Sequence, residues 1–326
     1  MEELQAVSDR LHKRFPIAAL AFALAIVTIA ASPAESAADE AHSVDVQMRN
    51  VIYHFSDVIA VHIESLNGRL LPVKGDMPVF DDKESFDIQI GSAAIAITPE
   101  SLANVLNSYV FARPDAPLKD ISIRIDGSGR LKVKGKLHSK GDIPFETDGV
   151  LSATPEGKIL LHAEKIKALH VPVKGVMDLL GLDLADLIKT GKVRGITLQR
   201  DDLLLDPEKL LPPPHITGSV TGVQVRQNQI VQVFGDPKTS SAWRLPATNY
   251  IAYRKNQLRF GKLTMSDTDL VLIDMDPKDP LDFYLDRYKE QLFAGYTKET
   301  PAFGLRVYMR DYNKLQGRKV TGHAHR

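Results

Sequence analysis

The chain has 326 residues, 44% of them hydrophobic and 25% charged, a globular composition long enough for one large or two ordinary domains. Lysine plus arginine balances aspartate plus glutamate at 41 each, so no net field draws in nucleic acid. Cysteine is absent, which excludes disulfides and thiolate metal sites.

Arg10, Lys13 and Arg14 precede an apolar run over 17–31, which ends in Ser32-Pro-Ala-Glu-Ser-Ala-Ala38. A positive start, an apolar stretch and a small-residue exit are the marks of a secretory signal, with Ser36 and Ala38 flanking the cut. The apolar run falls short of the roughly 20 residues that a spanning helix needs. Residues 1–38 are therefore expected to be a signal peptide, with an uncleaved inner-membrane anchor as the alternative. Either reading places the protein in the periplasm or cell envelope.

From residue 44 the apolar positions alternate: Val44, Val46, Met48, then Val51, Tyr53, Phe55, then Ile59, Val61, Ile63. Period two with slips predicts long strands with bulges. Asn67-Gly68 predicts a turn, and 86–90 and 94–97 predict further strands. Thr98-Pro99-Glu100 predicts a helix start: a capping hydroxyl, a proline at the first position and an acid at the positive end. Leu102, Val105, Leu106, Tyr109 and Val110 form its apolar stripe, and Arg113 to Pro117 stop it.

Residues 118–168 read as short strands joined by glycine-bearing turns at 126–129 and 155–157, an antiparallel sheet. A second helix is predicted over 175–190. Val176, Met177, Leu180, Leu184, Leu187 and Ile188 share one side of it, and Asp178, Asp186 and Lys189 lie opposite. Leu179 and Leu182 sit among the polar residues, where neighbouring protein, a cavity or a membrane would cover them. Pro-Val-Lys-Gly occurs at Pro72 and again at Pro172, too short a match to establish a repeat.

Beyond residue 237, 258–265 and 270–275 read as a strand pair. A third helix is predicted from the Asp279-Pro280 cap to Gly295, with Leu281, Tyr284, Leu285, Tyr288 and Leu292 as its stripe. Residues 305–309 predict a last strand, and 314–326 a disordered tail.

The ten histidines show no metal-binding spacing, and Gly127-Ser-Gly129 lacks the third glycine and helix of a dinucleotide loop. No nucleophile elbow occurs. Asp267, Asp269, Asp274, Asp276 and Asp279 read as solvated turn aspartates, with a loose cation site as the alternative, because the spacing of a calcium-binding EF-hand loop is missing. No catalytic residue, metal ligand or cofactor is assigned, and the chain is read as a non-enzyme.

Several strings stand in an order that resembles a known family. They are Leu102-Ala-Asn-Val-Leu-Asn107, Pro144-Phe145, Pro172-Val-Lys-Gly-Val-Met-Asp-Leu-Leu180, Gly195-Ile196, Asp202-Leu-Leu-Leu-Asp-Pro207, and a strand from Gly218 and Val220 ending near Phe234-Gly235. The order is similar to that of the LmeA-like phospholipid-binding envelope proteins, themselves similar to the tubular lipid-binding (TULIP) superfamily. The resemblance covers residues 86–235, and the triple proline at Pro212 to Pro214 and the chain after Pro237 depart from it.

The resemblance implies an α+β fold: a long curved antiparallel sheet wrapped around a few amphipathic helices, here with a C-terminal strand-helix-strand segment. The expected domains are a lipid-binding-like unit over 39–236 and an extension over 237–313 packing on the same sheet. Non-catalytic lipid binding or shuttling through an apolar groove is the leading expectation. A structural or assembly factor without a ligand cavity is the alternative, and an envelope glycan or lipid hydrolase the lower one. The expected groove lining is Leu102, Val105, Leu106, Tyr109, Met177, Leu179, Leu180, Leu182, Leu184, Leu187 and Ile188. Lys174, Lys192 and Arg194 are expected to face the headgroup, where they would favour anionic lipid at a membrane surface.

Overall fold

The computed structural model describes residues 42–138, 142–168, 171–172, 193–199, 202–236, 243, 245 and 247–315. The expected targeting segment over 1–38 and the predicted helix over 175–190 lie outside them.

In chain order, β1 (Val44–Ser56), β2 (Ile59–Pro72) and β3 (Phe86–Ile97) lead into helix α1 (Pro99–Val105) and a π-helical turn (Leu106–Val110). Then come β4 (Leu118–Ile125), β5 (Leu131–His138), β6 (Asp142–Ala153), β7 (Ile159–Ala168), β8 (Val171–Pro172), β9 (Ile196–Gln199) and β10 (Asp202–Leu205). Helix α2 (Pro207–Leu210) is followed by β11 (Ile216–Thr217), β12 (Val220–Arg226) and β13 (Gln229–Phe234). The last third carries β14 (Tyr250–Arg254), β15 (Leu258–Phe260), β16 (Leu263–Met265), β17 (Asp269–Asp274) and β18 (Leu281–Tyr284). A 3₁₀ turn (Leu285–Arg287), α3 (Tyr288–Phe293), β19 (Tyr296–Glu299), β20 (Leu305–Met309) and α4 (Tyr312–Leu315) end it.

Among the described residues the strands form two large sheets and a β15–β16 hairpin. The larger sheet has eleven strands in the order β12-β13-β3-β2-β1-β14-β17-β20-β19, with β11 beside β3 and β18 beside β1. It curls into a half-barrel, and the fold is a β-rich α+β arrangement with few short helices. The smaller sheet has seven strands, β4-β5-β6-β7-β10-β9 with β8 on β7. Most pairings are antiparallel, but β1–β18, β3–β11 and β17–β20 are parallel.

One continuous core joins the two sheets. β1 buries Val44, Val46 and Met48 and then Val51, Tyr53 and Phe55. The phase slips at Asn50, whose φ of 51° lies in the left-handed region, as the broken alternation predicts.

Four expectations are corrected. Asn67-Gly68 is no turn but lies inside β2, and the chain turns at Asp57-Val58 instead. A Cβ at Gly68 would sit 2.2 Å from the Gln89 carbonyl oxygen, so the glycine serves the close approach of β3 at a register shift. The third helix begins late: Leu281–Tyr284 is β18, buried along its whole length beside β1, and tertiary burial overrides the helical spacing. Residues 258–265 fold on themselves as β15–β16, and β17 pairs with β14 and β20. Finally, Lys314 belongs to α4 and not to a tail, with its Nζ 2.7 Å from Asp311 and 3.1 Å from both Asp276 and Asp279. That ammonium sits where the loose cation site was the alternative.

Candidate functional site

Helix α1 forms where its local signals place it. Thr98 Oγ1 accepts from the Ser101 amide at 3.1 Å, and Pro99 opens the first turn. The π-helical turn after it is held by Asn107, whose side chain donates to the Ile121 carbonyl (2.7 Å) and accepts from the Ile121 amide (2.8 Å). These bonds fix one side of the helix pair over the space between the sheets.

Leu102 and Val105 line an apolar cavity of about 50 Å³ there. The larger sheet contributes Ile95 and Ile97 from β3 and Ile230 and Phe234 from β13; the smaller contributes Leu151, Ile159 and Leu205. Pro207, Leu210 and Leu211 close it around α2, and Gln232 is its one polar side chain. Such a lining can solvate hydrocarbon and offers no acid, base or nucleophile.

Strand β10 separates this cavity from a basic cleft. Leu205 faces the cavity, while Leu204 and Asp206 line a cleft of about 300 Å³ with Lys158, Arg194 and Lys209, as alternation along a strand requires. Asp206 is nearly buried and lies 3.0 Å from Lys209 Nζ and 3.7 Å from Lys158 Nζ. Three cations against one carboxylate leave the cleft positive and fit for an anion. Gly195, at φ 73°, turns the chain at its rim, where a Cβ would press on Lys209 at 3.0 Å.

Arg194 is exposed but engaged: its guanidinium lies 5.9 Å from the centre of the Tyr109 ring, and Nη2 donates to His215 Nε2 at 3.4 Å. Next to it in the fold, Ile88 donates to the His215 carbonyl at 2.8 Å. Burial raises the neighbouring Asp87 carboxyl above the usual aspartate value, with His215 opposing.

Of the expected groove residues, Leu102 and Val105 line the cavity, Leu106 is buried in the adjoining core, and Tyr109 is half-buried under Arg194. Met177, Leu179, Leu180, Leu182, Leu184, Leu187, Ile188, Lys174 and Lys192 lie outside the described residues. Sequence reasoning missed Lys158 and Lys209 as partners of Arg194. Their signal, alternation across Leu204-Leu205-Asp206, becomes readable only once Leu205 is known to face inward. Among the described residues no three His, Cys, Asp or Glu side chains converge as metal ligands.

Comparison with known proteins found no matching family model, no similar curated protein and no similar solved structure.

Proposed function

We propose that the protein is a non-catalytic binder of lipid in the bacterial cell envelope, exported there by its N-terminal segment. The observation that carries this reading is the apolar cavity under α1 with a positive cleft across β10, a tail site beside a headgroup site. The motif order shared with LmeA-like proteins and a half-barrel sheet with few helices support a TULIP-like arrangement. The driving force is solvation: each methylene buried contributes about 0.8 kcal/mol.

A second reading, a structural or assembly factor with a sealed core, is favoured by one observation. The cavity holds about 50 Å³, whereas ligand pockets run from roughly 300 Å³ upward. Lipid loading thus requires the cavity to widen.

Native mass spectrometry of the full chain purified from membranes tests the two. Lipid binding predicts a retained lipid mass that Leu151→Trp, which fills the cavity from a half-buried position, removes while the circular dichroism is kept. Absence of lipid from the wild-type chain in every preparation would support the sealed core.

A further inference from the structure

The larger sheet ends differently on its two sides. At one end β12 lies against β6 of the smaller sheet, and the Val220 amide donates to the Gly157 carbonyl at 3.0 Å. At the other end β19 is exposed along its length, and among the described residues no strand pairs with its outer edge. The hairpin to β20 fixes which groups stand there. The Thr300 amide donates to the Gly304 carbonyl at 2.8 Å, and alternation then turns the amides and carbonyls of Thr297 and Glu299 outward. Open backbone of this kind takes a further strand. A lysine often guards such an edge, but Lys298 is folded over its own sheet. Its Nζ lies 5.4 and 5.5 Å from the centres of the stacked Tyr296 and Tyr308 rings.

The two most exposed large apolar side chains among the described residues bracket this strand. Phe293, 87% exposed, ends α3 before it, and Phe303, 92% exposed, sits in the turn after it. The turn is pinned at Thr300, whose carbonyl accepts from the Phe303 amide and whose Oγ1 accepts from the Gly304 amide, both at 2.9 Å. Phe303 holds a φ of 61°, a left-handed backbone that is costly for a bulky side chain. Pro301 and Ala302 beside it are exposed as well, so the whole tip is apolar.

Both halves of an interface are thus present in one chain. Antiparallel pairing of β19 with β19 of a second copy, about a two-fold axis, sets Phe293 of each copy toward the 301–303 tip of the other, at both ends at once. Charge selects the axis. Centred on Lys298 or on Glu299, like charges would stand directly opposite each other. Centred on Thr297, threonine faces threonine, and Lys298 lies opposite Tyr296 of the partner subunit. Four phenylalanine rings at about 150–250 Å² each contribute roughly 600–1,000 Å². The paired backbones add to this, which reaches the low end of specific interfaces, about 1,200 Å². We propose that β19 is a self-pairing edge through which two copies of this chain form a weak dimer, with Thr297 on the axis.

Sedimentation equilibrium of the full chain purified from membranes should show reversible, concentration-dependent dimers. Phe303→Gly, which suits the left-handed backbone, and Phe293→Ser should each raise the dimer dissociation constant about tenfold or more while the circular dichroism is kept. Thr297→Pro removes only an outward amide of an edge strand and should abolish the dimer. The chain has no cysteine, so Thr297→Cys supplies one thiol per copy. Hydrogen-bonded antiparallel partners stand about 5.5 Å apart at Cα, within disulfide reach. Mild oxidation should therefore cross-link Thr297→Cys and leave Thr264→Cys, on the exposed part of β16, as a monomer under denaturing conditions. Absence of the Thr297→Cys cross-link would overturn the assigned axis. A chain that stays monomeric into the high micromolar range would overturn the proposal, as would dimers untouched by Phe303→Gly and Thr297→Pro. A monomer whose binding to phosphatidylcholine vesicles falls in Phe303→Gly would assign this face to a membrane and overturn it equally.

Discussion

The two sheets are clothed differently. In the larger sheet β14 and β17 are covered on both faces: Ile251, Ala252, Leu270, Val271 and Leu272 are all fully buried. Trp243, Leu245 and Ala247 pack over Tyr250, Ala252, Val271 and Ile273 on the outer side. In the smaller sheet Phe145, Leu151, Leu161, Leu198 and Leu203 are only partly buried, and Val150 is 40% exposed. A strand buried on both faces resists displacement, because moving it costs apolar contact twice. A half-clothed strand gives way at lower cost. The difference locates rigidity in the last third of the chain and compliance in the sheet that borders the cavity.

The strongest test of that contrast is truncation in each sheet. Phe283 is fully buried against Tyr53 and Phe80, and Phe283→Ala should cost about 3–5 kcal/mol in urea unfolding. Leu161→Ala in the half-buried sheet should cost less than half of that, and equal losses would break the comparison. Gly68→Ala, which drives a Cβ toward the Gln89 carbonyl, should cost about 1–3 kcal/mol and shift β2 and β3 amide resonances, while leaving those of the smaller sheet in place. A smaller gain is expected from Val105→Ile, which adds one methylene to the apolar cavity and should stabilise the chain by about 0.8 kcal/mol. Destabilisation by that variant would mean that the cavity has no slack.

The smallest effect is a slope. The folded state holds His62 below its ordinary pKa by burial, so between that value and about 6.5 the unfolded chain binds the extra proton. Its contribution to stability is present above about pH 6.5 and is lost as pH falls through the folded value. Glu64 on the same strand, itself 3.6 Å from Arg226, is the charge that acts on this ring and opposes the effect of burial. Denaturation midpoints should fall on acidification through this window, and His62→Gln should flatten that fall.

What was legible in the sequence followed locality. Thr98, Pro99 and Glu100 act on amides a few residues away, and α1 starts there. The slip between Met48 and Val51 was readable without reference to any partner, and the left-handed Asn50 falls within it. Asn67-Gly68 misled because the need for glycine comes from β3, more than twenty residues on. Leu281, Tyr284, Leu285 and Tyr288 misled because a strand buried on both faces carries no alternation, and its apolar positions fit helical spacing equally well. The cavity was half legible: α1 supplies its stripe locally, but Ile230 and Phe234 face inward only because β13 pairs with β3. The hydrogen bond from Asn50 to Asn249, beside His62, was not legible at all, since its ends lie 199 residues apart.

The pairing of β1 has a consequence in time. One edge of β1 meets β2 at once, but the other is filled by β14 and β18, and the bond from Tyr250 Oη to Gln47 Oε1 spans 203 residues. On a growing chain, that second edge stays bare until most of the protein has been made. Loop closure over such a separation is slow, and a bare edge lined by Val44, Val46 and Met48 invites foreign strands meanwhile. The sheet is therefore completed by its last-made third, and a chain cut short after β13 would carry an unprotected edge at its centre.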